Sequence, residues 1–140
     1  MVSPPSLPLV VVPFAVSGVI HLLRPRTFEP IVPRPLRPWA RELVLLSGVA
    51  ELACAAGLLH PRTRAVAGPA SAALLLAVWP ANVQMSLDLR RRAARRHDTR
   101  SRLAYAVSLV RLPLQAPLVR IAWAAGRRSS VGPVLATDAG

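Results

Sequence analysis

The chain contains no lysine and a single cysteine, Cys54. One thiol cannot close an internal disulfide, and no C-x-x-C pair exists. Thiol–disulfide chemistry would therefore need a cysteine from a partner. Aromatic residues are scarce: two Phe, three Trp and one Tyr. None interleaves the arginine-rich run at 90–102, which removes the stacking platform that single-stranded nucleic acid needs. Acidic residues number six against eighteen basic ones, and the net charge is +12. Charged residues are too few for the surface of a soluble domain of this size, and the composition is that of a membrane protein. The absence of lysine, with abundant Ala and Pro, is the codon signature expected of a GC-rich bacterial genome.

What is present is apolar and falls in four blocks, at about 7–23, 42–59, 65–85 and 103–125. Each holds roughly 17–23 residues, enough to cross ~30 Å of hydrocarbon as a helix. Alternating barrel patterns are absent, and only helices satisfy every backbone group inside one segment. The expectation is an all-α integral membrane protein: a four-helix bundle over 1–126, followed by a short flexible tail over 127–140. The first block lacks a basic leading segment and a clear cleavage site, so it reads as a retained span.

The arginines are uneven. The connection between the first two blocks carries Arg24, Arg26, Arg34, Arg37 and Arg41. The connection between the third and fourth carries Arg90, Arg91, Arg92, Arg95, Arg96, Arg100 and Arg102. The positive-inside rule puts both connections on the cytoplasmic side and both termini outside a bacterial plasma membrane. The run reads first as a solvated topogenic segment. Anionic lipid is the next partner, ahead of nucleic acid, which is not expected. Pro-rich 24–41 cannot be one regular helix and is expected as a surface loop with Trp39 at headgroup depth.

Polar residues within the blocks sit on single faces. Ser17 and His21, Ser47 and Glu51, and Asn82 and Ser86 are each four apart. Ser108, Arg111 and Gln115 step by three and four. At ~1.5 Å per residue, Glu51 lies roughly 13 Å into its block and Arg111 roughly 12 Å into its own, counted from the same side. The expected site is an intramembrane polar cluster of His21, Glu51, Asn82, Arg111 and Gln115, with Glu51 neutralising Arg111. Against it stands the plainer reading of buried polar residues as interhelical glue. Arg120, nine residues past Arg111, is expected to point the other way and snorkel. His60 and His97 lie at separate places, so a metal or haem site is not expected. Cys54 reads as a packing residue.

Together these residues resemble the DoxX-like family of small four-helix membrane proteins. The resemblance rests on Gly18 and His21 in "SGVIHLLRPRTFEPIVP" and on Ser47, Gly48 and Glu51 in "LSGVAELACAAGLL". It continues through Arg64, Asn82 in "WPANVQM", and Arg111, Pro113 and Gln115 in "RLPLQAPLVRIAW". It spans roughly 9–125. Leu22 stands where the family often has phenylalanine, and the third connection is unusually rich in arginine. The resemblance implies a link to thiosulfate:quinone oxidation, thiol oxidation or oxidative-stress complexes. The disulfide-forming relatives do not fit a chain with one cysteine. Three functions follow as expectations. The first is a redox-associated subunit binding a quinone or small polar substrate at the cluster, with electrons from a partner protein. The second is a small-molecule carrier, as a homodimer. The third is a non-catalytic scaffold. No haem, flavin or metal motif is present, and whether the protein is an enzyme stays open.

Overall fold

A computed structural model describes residues 6–130, with no side-chain description for Ser129 and Ser130. The described residues are all-helical. The α-helices are α1 (Pro8–Leu23), α2 (Ala40–Leu59), α3 (Arg64–Arg96) and α4 (Thr99–Ser130). The first two match the first two apolar blocks. The last two overrun theirs, because the arginine-rich segment expected as a connection is helical through Arg96 and again from Thr99. Arginine is a good helix former, and nothing in "RRRAARR" breaks a helix. The tail expected over 127–140 is helical to Ser130, and its remainder lies outside the described residues.

Between α1 and α2 the prolines behave as expected. The chain makes three short 3-10 helices, Pro25–Thr27, Glu29–Ile31 and Arg34–Trp39, each with proline near its start. The third runs straight into α2. The first two turn sharply from α1, by 104°.

Among the described residues, two helices are long and apolar enough to cross a membrane: Arg34–Leu59, counting the last 3-10 turns with α2, and α3. The bent pair Pro8–Leu23 and Pro25–Ile31 passes the same test jointly. Helix α4 falls short, because Arg111, Gln115 and Arg120 interrupt it. Outward faces are rich in apolar side chains. Leu9, Val12 and Val16 of α1, Leu46 of α2, Val66 of α3, and Val107, Val110 and Trp123 of α4 are all exposed. Apolar surface on this scale marks a membrane or protein interaction surface.

Neighbouring helices run antiparallel, and small residues let them approach. Gly57 of α2 faces Ala67 of α3, and Gly68 of α3 faces Gly126 of α4. The core lies at the end where α1 begins, and gathers Leu7, Val10, Phe14, Cys54, Leu58, Leu75, Ala122 and Ala125. Cys54 is thus a buried packing residue.

The turn from α3 to α4 takes two residues. His97 adopts the left-handed conformation (φ 53°) and its N–H bonds Ala93 O at 3.2 Å. Asp98 then caps α4: Oδ1 accepts from the Ser101 N–H at 2.7 Å, and Oδ2 from the Ser101 hydroxyl at 3.0 Å. The Ser101 N–H, then its hydroxyl, hold the Asp98 carboxyl below the usual carboxylate range. A carboxyl lowered by folding stabilises the folded state above its unfolded pKa, and that contribution is lost as pH falls through the folded value. Acidification below the ordinary carboxylate range is therefore expected to lower amide protection factors in the first turn of α4. Asp98→Asn should flatten that dependence. Hydrogen exchange measured across pH checks it, and an unchanged pH profile in Asp98→Asn would remove the cap from the account.

Candidate functional site

Helices α1 and α2 touch through glycines. A Cβ on Gly18 would lie 2.8 Å from Gly48 O and 2.8 Å from Leu52 Cγ, and one on Gly48 would lie 2.8 Å from His21 Cβ. Only glycine permits this approach, and it is what presses His21 of α1 against α2. The His21 Nδ1 stands 3.3 Å from Glu51 Oε2 and 3.3 Å from Ser47 Oγ. Ser47 and Glu51 are four apart and share the facing stripe. The Ser47 hydroxyl donates to Val44 O at 2.9 Å, so its oxygen offers lone pairs to Nδ1. Both oxygens can accept from Nδ1 in the tautomer that carries its proton there.

Glu51 is 4% exposed, and its Oε2 is buried with no hydrogen bond. The contact with His21 is within ion-pair distance but is not aligned as a hydrogen bond. A buried carboxylate with an unused lone pair is costly, and the cost falls if a charge or a donor arrives beside it. The pair has two low-cost forms: imidazolium beside carboxylate, or neutral imidazole beside a protonated carboxyl. They differ in where one proton sits. Phe28, from the segment that bends away from α1, stacks edge-on against the His21 ring with centroids 4.2 Å apart. The Pro-rich connection thus lies over the histidine.

A second polar pair joins α3 to α4. Asn82 Nδ2 donates to Gln115 Oε1 at 2.9 Å, and both residues are buried. The Gln115 amide donates to Leu75 O, in the turn preceding Pro80, and the Ser86 hydroxyl donates to Asn82 O. These amides satisfy each other and read as interhelical bonding.

The structure brings together His21 with Glu51 and Asn82 with Gln115, as two separate pairs. Arg111 joins neither. The expected Glu51–Arg111 ion pair is absent: Glu51 faces His21, and Arg111 is exposed on α4. Two physical reasons account for it. Buried positions of α4 recur at sevens, Ser101, Ser108, Gln115 and Ala122, which is a seam against α3. Arg111, three past Ser108, is rotated ~60° off that seam, on a flank no helix covers. Depth also differs. Gly57 lies against Ala67, and Asn82 against Gln115. Counting along the antiparallel helices, Arg111 is level with the start of α2, and Glu51 sits ~16 Å deeper. Equal depths follow from spacing only if all blocks start at one level. The α3–α4 hairpin instead extends well past the start of α2.

One buried charge was not placed in the expected site. Arg64 is 5% exposed. Its Nε donates to Leu58 O at 2.8 Å and its Nη2 to Leu59 O at 3.4 Å, while the Thr63 hydroxyl donates to Gly57 O at 2.8 Å. Together they satisfy the carbonyls that the end of α2 leaves open. The signal in sequence is an apolar helix that ends without a capping glycine and is followed at once by "HPRTR".

The chain belongs to a family described as a domain of unknown function, DUF8561, whose model matches residues 10–126. No curated protein and no solved structure matches it.

Proposed function

We propose that the protein is a four-helix bundle of the bacterial plasma membrane, related to the DoxX-like proteins, in which His21 and Glu51 form a proton-exchanging site for a small polar ligand. The carrying observation is the buried, hydrogen-bond-free Glu51 oxygen 3.3 Å from the Nδ1 of His21. Helix α4 joins the bundle through the seam of Ser101, Ser108, Gln115 and Ala122, with Ala125 adding to the core at its far end. The arginine-rich ends set the orientation, with both termini outside.

A quinone headgroup is the ligand class that this chemistry suits best. With the pair as imidazolium and carboxylate, Nδ1–H faces Glu51, and Nε2–H is a donor for a ligand carbonyl oxygen. Electrons delivered by a partner protein would place negative charge on that oxygen, and the imidazolium would pass it a proton. Arg111 takes no part in this reading.

The test is mass spectrometry of quinones that co-purify with the detergent-solubilised protein, comparing wild type, Glu51→Gln and His21→Gln. A quinone enriched on wild type and depleted about tenfold from folded variants is expected, the loss of one charge-assisted hydrogen bond. No enrichment on wild type, with variants differing only in stability, would return the pair to a bundle-holding role.

A further inference from the structure

At the opposite end of the bundle from the arginine-rich hairpin, the last turns of α4 and the start of α1 enclose a groove of about 260 Å³, lined by Ser6, Arg120, Ile121, Ala124, Ala125 and Arg128. Arg120, Ala124 and Arg128 are spaced by four, so the two guanidinium groups flank a floor made by a small side chain. We propose that this groove is a phosphate site, with Arg120 and Arg128 as its two arms.

Charge balance supports the assignment. Glu29 and Glu42 belong to the far end, beside the Pro-rich connection. Glu51 faces His21, Asp88 faces Arg91, and Asp98 caps α4. Among the described residues no carboxylate lies at the end that holds Arg62, Arg120 and Arg128, which leaves that end basic. Depth adds to the demand. Gly68 lies against Gly126 and Asn82 against Gln115, which puts Arg120 roughly 15 Å inside the start of α3. An arginine at that depth is costly if left alone in hydrocarbon. Its stem can carry the charge toward the level of Arg128, which is where the groove opens. Arginine forks match phosphate oxygens in pairs, which a point charge cannot do. The phosphate can belong to an anionic phospholipid headgroup or be free in solution. This site is separate from the His21–Glu51 pair and does not depend on its function.

Native mass spectrometry of the full chain, released from membranes containing phosphatidylglycerol, tests the proposal with Arg120→Gln, Arg128→Gln, the double variant and Arg62→Gln. Circular dichroism verifies folding of each. Wild type and Arg62→Gln should retain the lipid alike, and each groove variant should retain about tenfold less. Arg120→Lys, which keeps the charge but loses the fork, should fall between. A second arm adds inorganic phosphate to lipid-free protein in detergent. A rise in melting temperature for wild type but not the double variant identifies free phosphate as the source. Equal lipid retention by wild type and the double variant, with no response to phosphate, overturns the site. So does a loss in Arg62→Gln as large as in the groove variants, which would make the effect one of net charge alone.

Discussion

Gly68→Ala is expected to destabilise the protein by about 2–3 kcal/mol, the upper range for forcing one methyl into a filled interface. The added Cβ would lie 2.5 Å from Gly126 N, 2.6 Å from Ala122 O and 2.6 Å from Gly126 Cα. All three are backbone atoms, so no rotamer change relieves the clash and α3 and α4 must move apart. The separation would be felt at Gln115, whose amide bonds both Asn82 and Leu75 O. In a membrane, where lipid is as apolar as leucine, close backbone packing and such bonds are what hold helices together. Thermal unfolding in detergent, with Gly126→Ala alongside, measures it. Stability unchanged in both variants would mean that the two helices do not approach this closely.

Arg64→Met is expected to cost about 3 kcal/mol, since it removes hydrogen bonds from a charged donor to two carbonyls at the end of α2, that of Leu58 being buried. The Leu58 and Leu59 oxygens close the end of α2, and Leu58 is wholly buried, so water does not readily replace the guanidinium there. Arg64→Lys retains the charge but not the fork, and should recover only part of the loss. Denaturation of wild type and both variants checks the order, and hydrogen exchange at Thr63–Ala67 localises it. A lysine variant as stable as wild type would show that charge, rather than the geometry of the donors, is what matters at this turn.

The pairing of Ser47 with Glu51 on one stripe was legible, because helix periodicity is local and four residues make one turn. So was a polar partner for Glu51 on another helix, since a carboxyl in an apolar block needs one. Which partner was not legible. His21 and Arg111 both satisfied spacing and charge, and the choice turned on helix crossing and axial offset. The offset arose from "RRRAARRHDTR", which reads as a loop by charge and yet continues α3, with Asp98 starting α4 two residues later.

Composition and apolar periodicity alone determined that the chain is helical, that some of its helices are long and apolar enough to span a membrane, that the Pro-rich connection is not one regular helix, and which side chains are out of place among apolar neighbours. These follow from short-range sterics and from the cost of burying polar groups. Only the tertiary structure decided that Gly18 and Gly48 bring His21 to Glu51, that Arg111 stays exposed at the level where α2 begins, and that Arg64 turns inward to close α2. Those outcomes depend on how closely helices approach and how far they slide along each other, and packing between segments distant in sequence sets both.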